Sequence, residues 1–285
     1  MTISLRADRA VFRFSGADAH KLLNDVVTGY VPAGGNEAAA WALLSPQGKI
    51  LAEGLAGFAE DAIWVDVHQS VADDFFKRMK MYRLRAQVVI DDLRETHRVG
   101  FAQHKELAGI QHHDRKGSVQ LGWRVIAPLE AAMDWLQDDT SYQAARIEAG
   151  IAHQGNDFLA NDTFAHDIGF DILDGIDFDK GCYVGQEVVS RMKHRGTARR
   201  RVVIVSAQTA VPAVGTELMA GGKPIGTLGT VSGSKGLAIV RIDRVADAIA
   251  SGTDIMADDV AVTVALPAWS GLSFPSADPA ANAEA

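Results

Sequence analysis

From residue 200 onward the chain has no room for long helices. Apolar, β-branched runs at 201–206, 223–231, 237–241 and 260–266 are each of strand length, and glycine-rich turns separate them. Few residues between these runs suit a helix. The C-terminal part is therefore expected to be a small β-barrel or sandwich, with its boundary near Gly196.

Upstream the texture is mixed. A strand is expected at 11–14. Ser15 and Asp18 then have capping-box spacing ahead of a helix carrying Leu22, Leu23, Val26 and Val27. Runs 41–44 and 50–58 flank Ser45-Pro-Gln-Gly48, which predicts a hairpin. A strand at 63–67 leads to a helix opened by Ser70 and Asp73 and carrying Phe75, Phe76 and Met79. Strands are expected at 84–90, 98–102 and 119–126, and helices at 128–137 and 141–149. No regular βαβ rhythm appears, so the class is α+β with mixed antiparallel sheets. At about 150 residues per domain, 285 residues suit two domains. The expected division is a body over 1–195, a barrel over 196–272 and a disordered tail over 273–285, where the sequence turns small, polar and proline-containing.

Composition removes several classes. A net charge of −8 opposes a general nucleic-acid coat, since phosphate binding depends on clustered cations. The uncharged stretch 260–277 is broken by Pro267 and Pro275, which opposes a membrane span. No targeting segment is visible at the N-terminus. The one cysteine, Cys182, forms no internal disulfide and no multi-thiolate site, so a reducing cytoplasm is the expected setting. The histidines lack zinc-site spacing, and no resident metal is expected.

The sharpest pattern is a charge reversal. Residues 156–187 hold eight acids and one basic residue, Lys180; residues 188–216 hold no acid. Arg191, Lys193, Arg195, Arg199, Arg200 and Arg201 crowd the start of the basic part. The two blocks either pair with each other or build a local anion site. At their junction stands Asp179-Lys-Gly-Cys-Tyr-Val-Gly-Gln-Glu187, followed by Val188-Val-Ser-Arg191. Gly181 and Gly185 permit tight backbone, Lys180 is a cation positioned to favour a Cys182 thiolate, and Gln186 and Glu187 open a helix. That describes a loop-to-helix site without naming a reaction.

Lys180, Gly181, Cys182, Tyr183, Gly185, Gln186, Glu187 and Arg191 together resemble the signature of the YgfZ-type folate-binding proteins. These are accessory factors of iron–sulfur cluster assembly, related to the glycine-cleavage aminomethyltransferase. Leu43-Leu-Ser-Pro-Gln-Gly-Lys-Ile-Leu51, Tyr82-Arg-Leu-Arg85 and Arg146-Ile-Glu-Ala-Gly150 are similar to further segments of that family. The resemblance implies a ring-like body of mixed subdomains around a folate-sized hole, with a terminal barrel. It also implies tetrahydrofolate or another reduced folate as cofactor, held by the signature residues and by Tyr142, with Cys182 as a functional thiol. Iron–sulfur assembly proteins or client enzymes are the implied partners; membrane and nucleic acid are not expected. The alternative it carries is a folate-dependent aminomethyltransferase or demethylase, which needs a carboxylate near the reacting nitrogen, with Asp25 or Asp66 as candidates. Against methylene transfer, the aminomethyltransferases' Tyr-Thr-Gly-Glu-type loop is replaced here by Arg115-Lys-Gly-Ser-Val-Gln-Leu-Gly-Trp123, which has no carboxylate. Phe164-Ala-His-Asp167 departs as well.

Overall fold

In a computed structural model the chain is described over residues 2–106, 109–196 and 198–275. Of the expected tail, 276–285 lie outside the described residues. Two compact units do not follow one cut in the chain. The first comprises Met1–Tyr142, Ala160–Ala165 and Phe170–Arg191; the second comprises Gln143–Leu159, His166–Gly169 and Met192–Ala285.

In chain order the first elements are β1 (Ser4–Leu5), β2 (Arg9–Ser15), α1 (Ala19–Val26), β3 (Glu37–Leu44), β4 (Ile50–Ala59) and β5 (Ala62–His68). Next come α2 (Ala72–Arg83), β6 (Val89–Asp92), β7 (His97–Ala102), β8 (Ile110–Lys116), β9 (Val119–Pro128) and α3 (Thr140–Ala149). The nine strands form one sheet in the order β1-β7-β9-β8-β3-β4-β5-β2-β6, antiparallel except where β3 pairs with β8. Strand alternation sorts its two faces. Ala10, Phe12 and Phe14 of β2 point to one side, where Leu22, Leu23, Phe75 and Met79 of α1 and α2 close a core around Trp41. Phe12 stacks on Phe76 with ring centroids 5.5 Å apart, and Trp41 lies 5.5 Å from Phe75. Arg9, Glu53 and Asp66 fall on the opposite face, where they meet Arg124.

The second unit is built on a closed barrel. After α4 (Gln186–Arg195) come β10 (Arg200–Ala207), β11 (Glu217–Ala220), β12 (Lys223–Ser232), β13 (Lys235–Arg241), α5 (Ile242–Ser251), β14 (Ile255–Ala257) and β15 (Val260–Ala265). The barrel runs β10-β13-β12-β11-β14-β15 and closes through β15 onto β10. Closure removes exposed strand edges, and Val203, Val205, Leu218, Leu228, Val240 and Ala257 fill the interior.

Four expectations are corrected. The strand expected at 84–90 begins only at Val89, because Leu84 leaves α2 with a left-handed φ of 43°. The helix expected at 128–137 is a single 3-10 turn, Leu129–Ala132. Main-chain bonds between Leu136 and Ile3 and between Leu5 and Leu136 draw the following residues alongside β1 instead. Residues 242–251, read as too few for a helix, form α5, which lays Val245 and Ala248 on the barrel core. The capping box is not made: Asp18 accepts the Gln87 N–H at 2.7 Å and makes no side-chain cap on α1.

Candidate functional site

The segment running into α4 is fastened to the first unit at several points. The Asp177 N–H donates to the Thr28 carbonyl at 2.8 Å, and the Thr28 hydroxyl donates to the Gly175 carbonyl at 2.6 Å. The Asp177 carboxylate then accepts the Asp179 N–H at 3.0 Å, which shapes the approach to Lys180. Lys180 Nζ donates to the carbonyls of Asn24 and Gly29, both at 2.8 Å. Asn24 lies in the last turn of α1, where carbonyls lack helical partners, so Lys180 ties the loop to a helix end that needs a donor. Burial pulls the Lys180 ammonium down to about 8, against the opposing pull of Asp177 and Asp25.

Tyr183 is buried, with the Lys180 ammonium 5.3 Å from its ring centroid. Burial, with Asp177 nearby, pushes its phenol up to about 12. Gly181 and Cys182, between these two anchors, face solvent. The expected pairing of Lys180 with Cys182 is replaced by the two carbonyl contacts.

Gly185 carries the next constraint. It has φ +85°, and a Cβ there would sit 2.7 Å from the Ser45 carbonyl oxygen. The β3–β4 turn answers it: a Cβ at Gly48 would lie 2.8 Å from Val188. Two glycines thus let the start of α4 settle on the hairpin turn, which explains why Ser45-Pro-Gln-Gly48 and the signature occur in one chain. Gln186 donates its N–H to the Tyr183 carbonyl and Val189 buries behind it. Glu187 and Arg191 meet at 3.7 Å across one helical turn with both side chains exposed, an ion pair worth about 0.3–0.5 kcal/mol. Gly181 differs, since nothing lies within 4 Å of a Cβ there.

A sharp contrast between two glycines of the motif follows. Gly185→Ala is expected to lose about 2 kcal/mol or more of stability, combining left-handed strain with a carbonyl collision. Gly181→Ala should stay within about 0.5 kcal/mol of the parent. Denaturant midpoints of the two variants measure the difference.

Tyr142 is placed in the interior, 2% exposed, under the Arg6 guanidinium at 3.8 Å and against Phe101 with centroids 4.7 Å apart. Those neighbours belong to the β1–β7 end of the sheet, whereas the signature loop packs on α1 and the β3–β4 turn. Of the carboxylates considered for catalysis, Asp66 is enclosed between Arg9 and Arg124, and Asp25 pairs with Lys21 on an exposed helix face. The charge reversal is partly settled inside the second unit. Arg200 approaches Asp167 at 4.0 Å, and Arg201 Nη1 donates to the His166 carbonyl at 2.5 Å. Among the described residues no three His, Cys, Asp or Glu side chains are grouped to hold a metal ion.

Sequence reasoning missed a cavity of about 560 Å³ lined by Tyr30, Asn36, Glu37, Arg115, Gly117 and Asp174. Arg115 Nη1 stands 3.4 Å from Glu37 at its edge. The available signal was Tyr30 beside the Gly34-Gly35 pair, one residue from the glycine whose carbonyl Lys180 holds.

Residues 199–272 match the family described as CAF17, C-terminal beta-barrel domain. The chain is 26% identical over 298 residues to the iron-sulfur cluster assembly factor IBA57, mitochondrial, of Mus musculus, covering 92% of this chain and 83% of that protein. Against the Homo sapiens protein of the same name the identity is 26% over 273 residues, covering 83% and 76%. The IBA57 homolog of Pyricularia oryzae is 29% identical over 214 residues, covering 68% of this chain and 54% of its own length, so the chain spans about half of that fungal relative. In structure the chain resembles the glycine cleavage system aminomethyltransferase T from Bartonella henselae. The TM-score is 0.70 at 15% identity, over 96% of this chain and 88% of the other. These relatives are described as mitochondrial, which overturns the expectation of a cytoplasmic setting. That expectation rested on a cysteine count, and one cysteine does not separate one reducing compartment from another. The chain has the aminomethyltransferase T fold and ends in a barrel of the CAF17 C-terminal kind.

Proposed function

We propose that this chain is a tetrahydrofolate-binding accessory protein of the YgfZ type that supports assembly or repair of iron–sulfur clusters in client enzymes. The observation that carries this reading is the presentation of Cys182. The thiol is exposed, while the residues around it are fixed by Lys180 on two carbonyls, by buried Tyr183 and by Gly185 on the hairpin turn. No histidine base stands in the local sequence 179–187, which suits a transient iron ligand better than a catalytic nucleophile. One cysteine does not hold a cluster alone, so the remaining ligands come from a partner protein, in keeping with an assembly factor. Relatives named as iron–sulfur cluster assembly factors support the same reading.

For the folate, the cavity beside Tyr30 has the volume of a small-molecule site, with an aromatic ring at its rim and Arg115 for a carboxylate tail. Gly181, Glu187 and Arg191 form the exposed border of the cysteine loop with Gln186 half-buried among them, and Tyr142 contributes from the interior by fixing Arg6 and Phe101.

Two measurements test the two halves. Cys182→Ser is expected to melt like the parent yet fail to restore a cluster-dependent enzyme in cells lacking the native protein; full restoration removes the thiol from the mechanism. Calorimetry with reduced folate is expected to give a micromolar constant, about −8 kcal/mol. Arg115→Ala should weaken it about tenfold. Absence of heat with folded protein rejects the folate half alone.

A further inference from the structure

The end of α2 and the turn after it form a surface that neither the signature loop nor the cavity uses. Residues 75–90 contain five cations, Lys77, Arg78, Lys80, Arg83 and Arg85, and no acid, in a chain of net charge −8. Lys77, Lys80, Arg83 and Arg85 are exposed, and Lys80 Nζ rests 4.0 Å over the Phe76 ring. Among these cations stand three bare apolar side chains: Met81, Val89 and Leu84, the last 86% exposed.

Leu84 is costly twice over. It exposes its side chain, and it does so from a left-handed backbone, φ 43°, that a leucine adopts only under constraint. The turn that imposes this is rigid. The Ala86 N–H donates to the Arg83 carbonyl at 2.7 Å, and the Gln87 N–H donates to the Asp18 carboxylate at 2.7 Å. Gly16 permits the Gln87 carbonyl to lie where a Cβ would come within 2.4 Å. Cations in the last turn of α2 answer the helix dipole, but that accounts for Lys80 and Arg83 and not for Arg85 or for Leu84. Of the nearby acids, Asp73 and Asp92 pair with Arg94, Asp91 with Arg13 and Asp18 with Gln87, while Asp74 stands in the first turn of α2, at the end of the helix away from the tip.

We propose that this basic tip, with Leu84 at its point and Met81 and Val89 beside it, docks the protein on a bilayer surface carrying anionic phospholipid. Cations meet the phosphates while the apolar side chains enter the acyl boundary, which is how a short basic element holds a membrane without crossing it. Among the described residues no helix is long and apolar enough to cross a membrane. The sequence expectation of no membrane partner weighed spans alone, and the tip revises it. An acidic protein or a nucleic acid would engage the charges equally well but gives no reason for a bare leucine held outward on strained backbone.

The test is co-sedimentation of the full chain with vesicles of phosphatidylcholine alone and with about 20% phosphatidylglycerol. Binding to the anionic vesicles is expected to be more than about tenfold tighter and to weaken as salt is raised. Leu84→Gly, which suits the left-handed backbone and so keeps the fold, is expected to weaken it about tenfold without lowering the melting temperature. Lys80→Glu combined with Arg83→Glu and Arg85→Glu is expected to abolish it. The proposal is overturned by no binding of the parent chain, by equal binding to neutral vesicles, or by binding that Leu84→Gly leaves unchanged. That last outcome, with heparin competing, identifies a surface for any polyanion.

Discussion

Replacing Asp66 with alanine is expected to lower the unfolding free energy by about 3–5 kcal/mol, because it leaves Arg124 without its carboxylate and Arg9 with Glu53 alone. Asp66 Oδ1 accepts from Arg9 Nη2 at 2.8 Å and from Arg9 Nε at 3.1 Å, while Oδ2 accepts from Arg124 Nη1 at 3.3 Å. Glu53 completes the balance, taking Arg9 Nη1 at 3.1 Å. Burial would raise the Asp66 carboxyl, but the charges of Arg9 and Arg124 outweigh it and hold the group below the usual carboxylate range. A depressed acid stabilises the fold fully above its unfolded value, near 4, and loses that contribution as pH falls through its lower native value. Stability curves of the parent and the variant should therefore separate widely at neutral pH and converge in acid. His112 adds no proton uptake near neutrality. Burial and Arg124 hold it down to about 3, and its Nε2 lies 3.1 Å from the Phe58 carbonyl, so it stays neutral. Urea midpoints measured from pH 7 downward test this; a constant gap at every pH would reject the pairing.

Asp157→Ala is expected to cost a similar amount, about 3–5 kcal/mol, in the second unit. Asp157 Oδ2 accepts from buried Arg146 at 2.5 Å and from the His153 N–H at 2.7 Å, and its Oδ1 accepts the Thr230 N–H of β12 at 2.7 Å. Gly229 leaves room for that carboxylate, since a Cβ there would fall 2.4 Å from Oδ1. Removing Asp157 leaves the buried Arg146 charge without its counter-ion and takes the acceptor from two amide groups. The exposed pair Glu148–Lys235, in the same unit, supplies the control, and Glu148→Ala should change stability by less than about 0.5 kcal/mol. Calorimetric melting of both variants separates the buried pair from the surface one. Equal losses would mean that Asp157 acts by packing alone.

What the amino-acid sequence determined on its own was whatever depends on near neighbours in the chain. Hairpin β3–β4 follows from Ser45-Pro-Gln-Gly48, α1 follows from its apolar spacing, and the helix expected at 141–149 is α3. Strands β10, β12, β13 and β15 follow from β-branched runs cut by glycine. The motif of residues 180–191 stood out because its residue types are unusual together, and the one thiol it carries is exposed. Tertiary structure decided the partners. Nothing local indicated that Lys180 would hold Asn24 and Gly29, more than 150 positions away, or that Gly185 and Gly48 would face one contact. Strand β8, with Ile110 followed by Gln-His-His-Asp-Arg-Lys, has too little apolar alternation to be read as a strand. It exists because β9 and β3 flank it and because His112, Asp114 and Lys116 find buried partners. The same holds for Leu84, whose outward direction is fixed by Asp18 and Gly16 across the fold. A periodicity is a property of one segment, whereas the burial of a charge is decided by whichever distant residue neutralises it.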